Sequence, residues 1–276
     1  MIKSTKKKAT KRSKPRQAPI SSALSPSDLD DSQLISALLR GLNVLSSFHV
    51  GDNELGNHEF AERTGLPKAT VSRITFTLAK AGFLTFDQRQ RVYRLGPKAL
   101  NLGFIARADN DLRANMRPLM QRLADETGLN VGLGVRDKDA MLYLDTWEGT
   151  ALVGLKVYPG FRMPIFTTAM GRAYLAALTP DELETVLAEF SRQMSDTGVR
   201  REDVLEQIEH ARRFGFVRSI GDWVEDIGAI AVTFRRPDRR QIYILSLGGP
   251  IYKMTDFFVY NEIGPKLLHF RDQLEA

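Results

Sequence analysis

The 276-residue chain contains no cysteine, four histidines and two tryptophans. Without cysteine there are no disulfides, iron–sulfur ligands or thiol nucleophiles, which fits a reducing cytoplasm. The histidines (His49, His58, His210 and His269) are scattered, with no pair at metal-ligand spacing, so neither a zinc site nor a cofactor is expected. No apolar run nears the roughly 18 residues of a membrane span. The basic N-terminus is not followed by the apolar stretch of a secretory signal. Common catalytic signatures are missing as well: there is no G-x-S-x-G elbow, Walker loop, H-E-x-x-H, or G-x-G-x-x-G after a strand. Asp145, Asp222, Glu225 and Asp226 have no histidine or lysine placed to complete an acid–base pair, so they read as solvated loop charge and no enzyme is expected.

What is present is a soluble composition, 43% hydrophobic and 26% charged, long enough for one large or two ordinary domains. The net charge of +6 is unevenly spread. Residues 1–17 carry eight lysines and arginines and no acid, residues 32–97 eight against five, and residues 98–276 are nearly balanced. Basic character at one end points to an anionic polymer bound there. Residues 1–31, rich in Lys, Ser, Pro and Ala, read as a disordered basic tail, either a solubilising leader or an electrostatic arm towards DNA.

Residues 32–97 read as a winged helix-turn-helix, three helices followed by a hairpin. In "SQLISALLRGLNVLSSF" (32–48), Ile35, Leu38, Leu42, Leu45 and Phe48 recur at helical spacing, with Ser32 as N-cap. "NHEFAERTG" (57–65) is a short helix capped by Asn57 and closed by Gly65; a third helix enters at Pro67 or Lys68 and ends at Gly82. Residues 83–96 form two short apolar runs around a polar tip.

The third helix buries Val71, Ile74, Leu78 and Ala81 and turns Ala69, Arg73, Phe76 and Lys80 outward, with Ser72 on the flank. Arginine can donate two hydrogen bonds to guanine, and Ser or Thr can contact phosphates or base edges. Lys68, Thr70, Ser72 and Arg73 are therefore the candidate DNA contacts, with Arg89 and Arg91 at the hairpin tip reaching the minor groove or backbone. Phe76 is the odd member of this face: an aromatic there must either pack against a neighbour or contact a thymine methyl, and packing is the expected explanation.

Residues 98–110 read as a linker helix, with a weak point at Ala108 to Asn110. Residues 111–276 form an α+β domain. It begins with a helix presenting Met116, Leu119, Met120 and Leu123, followed by strand candidates at 130–136, 140–147 and 151–159. Helices over 168–177, 180–190 and 201–214, strands over 226–234 and 241–250, and a helix over 256–274 complete it.

Several blocks then coincide with one family. "ISALLRGLNVLSSF" resembles the first helix of the IclR family of bacterial transcription regulators, and "HEFAERTGLPKATVSRITFTLAKAGFL" and "YRLG" resemble its helix-turn-helix and wing. "GFRMPIFTTAMGRAYLAALTPDE" (160–182), "RRFGFVRSIGDWVEDIGAIAV" and "LSLGGP" are similar to blocks of its larger domain. The resemblance implies a GAF-like effector-binding domain and a homodimer or homotetramer on double-stranded operator DNA. It also implies control of catabolic genes by a small organic acid, aromatic acids among them. The effector pocket it implies involves Met163, Ile165, Thr168, Ala169, Met170, Ala229 and Ser246, with Arg162 able to pair with a carboxylate. The chain departs from the family pattern with Phe166 for a frequent His, Arg172 for Lys, Ala229 for Cys and Thr233 for Pro, which makes the pocket rim more apolar. Two alternatives remain at this level: a constitutive regulator whose second domain only oligomerises, and an enzyme.

Overall fold

The computed structural model describes residues 34–49, 51–108, 111–150, 157–235 and 241–275. The expected basic tail, Ser32 and most of the strand candidate at 151–159 lie outside them; the rest of that candidate, 157–159, is not strand.

Three helices, α1 (Ser36–Ser46), α2 (Asn57–Thr64) and α3 (Lys68–Lys80), pack with a small antiparallel sheet. The sheet joins β1 (Leu55–Gly56), β2 (Leu84–Asp87) and β3 (Val92–Leu95) in the order β1-β3-β2. Val44, Leu55, Phe60, Val71, Leu84 and Tyr93 form their core. Two features differ from the sequence reading. The N-cap of α2 is Gly56, whose amide is held by Glu59, whereas Asn57 accepts a hydrogen bond from the buried Thr75 hydroxyl at 3.1 Å and so pins α2 to α3. The stripe expected to be core on α1 is largely open: Ile35, Leu38 and Leu42 are exposed, and Val44, outside that stripe, is the buried residue.

Helix α4 (Pro97–Ala108) follows, and α5 (Asp111–Thr127) begins the larger domain. Its six-stranded antiparallel sheet runs β6-β5-β4-β9-β8-β7, built from β4 (Asn130–Asp137), β5 (Ala140–Trp147), β6 (Arg162–Pro164), β7 (Val217–Ile220), β8 (Ile227–Arg235) and β9 (Ile242–Pro250). Both faces are covered, as near-continuous burial along β8 and β9 requires. One face packs on α5 and the C-terminal helix α11 (Gly264–Glu275), which continues from the short α10 (Asp256–Phe258) through a π-helical turn. The other packs on α6 (Ala169–Ala176), α7 (Pro180–Glu189) and α9 (Arg201–Phe214), with α8 (Ser191–Asp196) between the last two. This is the α+β arrangement expected, a helix-turn-helix domain ahead of an α+β domain.

Candidate functional sites: the reading helix and a cavity under α6

The first site is the outer face of α3. Its N-terminus follows Pro67, which sits at the N-cap with no side-chain cap. Backbone N–H groups and the helix dipole are therefore available there to an anion such as phosphate. Lys68, Ser72 and Arg73 are exposed on this helix, whereas Thr70 is half-buried; Thr70, Arg73 and Thr77 line a groove against α1. Arg89 and Arg91 are exposed at the β2–β3 tip. That tip is shaped by Asp87, whose carboxylate accepts the amides of Arg89 (2.8 Å) and Gln90 (3.1 Å), and by Arg91 at φ +58°. Phe76 does not pack as expected: it is 60% exposed.

Behind this face, Arg63 donates to Asp52 and to the Ser47 carbonyl, tying α2 to the loop after α1. Burial alone would raise the Asp52 pKa, but hydrogen bonds from Arg63 and the His49 amide outweigh it and hold the carboxyl below its ordinary value.

The second site is a small cavity of about 50 Å³ between the sheet and α6. The sheet contributes Gly132, Tyr143, Met163, Ala229 and Ser246; α6 and its N-cap contribute Thr168, Ala169 and Met170; and the loop after β7 closes it with Trp223 and Val224. Two glycines make room. A Cβ on Gly171 would lie 1.8 Å from the Ile165 carbonyl oxygen, so only glycine lets α6 sit this low on the preceding loop. A Cβ on Gly132 would fill the cavity floor, 2.3 Å from the Tyr143 ring.

Hydroxyls line an otherwise apolar wall. Tyr143 is buried beside Ser246, and burial pushes its pKa up to about 12, so it stays a neutral phenol. Ser219 donates to the Thr167 carbonyl at 2.7 Å. Thr168 caps α6 by accepting from the Gly171 amide at 3.2 Å, and its own proton goes to the Pro164 carbonyl. The Ala169 and Met170 amides occupy the first two positions of the helix, where backbone geometry provides no intrahelical acceptor. Asn130 accepts the Gly149 amide at the same cavity. No Lys, Arg, His, Asp or Glu lines the cavity among the described residues.

Of the eight expected effector residues, Met163, Thr168, Ala169, Met170, Ala229 and Ser246 come together here. Arg162 and Ile165 do not line it. The Arg162 guanidinium is held by the carboxylates of Asp137 and Asp139, and Ile165 is fully buried in the core beneath α6. Tyr143, Ser219 and Trp223 escaped the sequence reading because each sits in a segment whose pattern signals only strand or loop. Arg172 anchors the covering loop, donating to the Arg218 carbonyl (2.8 Å) and to Asp222 (2.7 Å), one residue before Trp223.

Family models match along most of the chain: "IclR helix-turn-helix domain" over residues 37–88 and "Bacterial transcriptional regulator IclR C-terminal" over residues 106–274. The chain is 32% identical to the HTH-type transcriptional regulator TsaQ1/TsaQ2 of Comamonas testosteroni, over 88% of each protein. It is 30% identical to the Pca regulon regulatory protein of Pseudomonas putida, over 82% of this chain and 78% of that one. Among solved structures it resembles a regulator from Brucella abortus, at 31% identity and a TM-score of 0.79, covering 92% of this chain and 96% of that one.

Proposed function

The chain belongs to the IclR family of bacterial transcriptional regulators, and on that premise we propose that its operator binding is governed by a small organic monoacid held under α6. A DNA-binding regulatory role comes with the family; the effector and the residues that serve each site are our reading. The observation that carries it is the cavity's polarity: two free amides at a helix N-terminus in a pocket otherwise lined by apolar side chains and hydroxyls. That end suits one carboxylate. The body of the ligand lies against Met163, Met170 and Trp223, and the hydroxyls of Ser219, Ser246 and Tyr143 orient a second polar group. Among the described residues no cationic side chain lines the cavity, so on this reading a second carboxylate would be buried without a counter-charge there and monoacids are favoured over diacids.

On the DNA side, Ser72 and Arg73 face the major groove, Lys68 and Thr70 the flanking backbone, and Arg89 and Arg91 the adjacent minor groove or phosphates. The exposed apolar residues of α1 and α4, among them Leu38, Leu100 and Phe104, are covered by a second copy of the chain, giving a homodimer. The genes controlled belong to catabolism of the effector or of compounds related to it, and the identity of neighbouring genes tests this.

The effector reading is tested by a thermal-shift panel of aromatic and aliphatic mono- and dicarboxylates. A monoacid at 100 times its dissociation constant stabilises by about 2.7 kcal/mol. Ala229→Phe, which fills the cavity, should abolish the shift and leave DNA affinity intact. A shift that survives Ala229→Phe would place the ligand elsewhere, and a broad panel without a hit would favour a second domain that serves only oligomerisation.

A further inference from the structure

Phe76 has no folding role that explains it. It is 60% exposed, at the centre of the outward face of α3, while Val71 and Thr75 on the opposite side are fully buried. At 100° per residue it shares its direction with Ala69, Arg73 and Lys80. No other described aromatic ring stacks on it; its recorded partner is the Lys80 ammonium, 5.6 Å from the ring centre. Nor does it belong to the apolar groove between α1, α3 and α4, which is lined from α3 by Thr70, Arg73, Ile74, Thr77 and Leu78.

We propose that Phe76 is a specificity-determining residue that reads the C5-methyl group of a thymine in the operator, beside the base read by Arg73. This rests on α3 being the helix that enters the major groove. Phe76 lies three positions after Arg73, a rise of about 4.5 Å along the helix, comparable to one base-pair step of about 3.4 Å. The methyl group is the single apolar feature that a base pair presents in that groove, and an aromatic side chain matches it where hydrogen-bonding residues cannot. Lys80 over the ring restrains it and places a cation on the neighbouring phosphate side.

The experiment uses the full-length chain. The wild type, Phe76→Ala and Arg73→Ala each select from a randomised duplex library, and the wild-type site is then resynthesised with each thymine replaced in turn by uracil, which lacks only the methyl. Expected is one uracil position per half-site that weakens wild-type binding about fourfold, the worth of one buried methyl, with no effect on Phe76→Ala. Phe76→Ala should lose its thymine preference at that position and keep the base chosen by Arg73. The uracil scan on the wild type stands even if the variant folds poorly. The proposal is overturned if no uracil position matters to the wild type, or if Phe76→Ala selects the same site with the same uracil sensitivity. It is equally overturned if Phe76→Ala sediments as a smaller species, which would make a second copy the occupant of this face. A wild type that selects no motif at all would bring down the reading of α3 itself, a distinct result.

Discussion

Arg73 and Lys68 share α3, and in the proposed docking they stand at different places relative to DNA, so their loss should register differently. Arg73 lies in the second turn, where a fork of donors meets a base edge, so Arg73→Ala should cost about 1–3 kcal/mol on the specific site and relax the sequence requirement. Lys68 is the first residue of the helix, where the proposed docking puts it on phosphate, so Lys68→Ala should weaken all duplexes alike and flatten the salt dependence by about one unit of slope. Salt-titrated anisotropy on specific and random duplexes separates the two. A third residue reports on pH. His210 bridges the Phe216 carbonyl (2.9 Å) and the Tyr260 hydroxyl (2.8 Å). Burial first, and then the charge of Arg218, lower its pKa against the opposing Phe216 hydrogen bond. The unfolded chain therefore takes up its proton first as pH falls through about 6.5, and stability drops from there until the folded pKa is reached. His49 is lowered in the same direction, chiefly by burial, and adds to the same window. Thermal midpoints should fall between pH 7.5 and 5.5, and His210→Gln should remove His210's share of that slope; an unchanged slope would contradict the assignment.

At the scale of elements, α6 is the sensitive piece, because it is both a cavity wall and a close-packed helix. Gly171→Ala should destabilise the larger domain by about 1–3 kcal/mol and distort the cavity, since the new Cβ meets backbone rather than a side chain that can swing away. Thr168→Ala removes the cap and the hydroxyl's bond to the Pro164 carbonyl without any backbone clash, and should cost about 1 kcal/mol. Chemical denaturation of both variants should preserve that order. Elements with strong periodicity were legible in the sequence: α9 spans residues 201–214 as read, and β8 and β9 fall within a residue of expectation. Those that escaped, β1, β6, β7 and α8, run two to six residues, too short for any period to show. The anticipated lining residues, Met163, Thr168 to Met170, Ala229 and Ser246, lie in blocks that carry the family resemblance, whereas Tyr143 lies outside those blocks in an ordinary strand pattern.

For the whole molecule, the exposed apolar surface of α1 and α4 is the outstanding feature. Leu100, Leu102, Phe104 and Ile105 are each more than half exposed along one helix, an arrangement costly in water unless another surface covers it. If a second copy covers it, Phe104→Glu together with Ile105→Lys should shift sedimentation from dimer to monomer and weaken binding to a two-half-site operator far more than to a single half-site. A double variant that remains dimeric would move the interface elsewhere.

The sequence by itself determined the order of the longer elements, the helix that faces outward with Arg73, and the segment that opens α6, because these follow from local periodicity and capping. Tertiary structure decided what distant segments do together. It drew Arg162 to Asp137 and Asp139 and away from the cavity, since a buried guanidinium must find carboxylates. It brought Tyr143 against Ser246 from separate strands. It also left Phe76 and the α1 stripe in the open, because which face of an amphipathic helix is covered depends on the partners that the rest of the fold supplies.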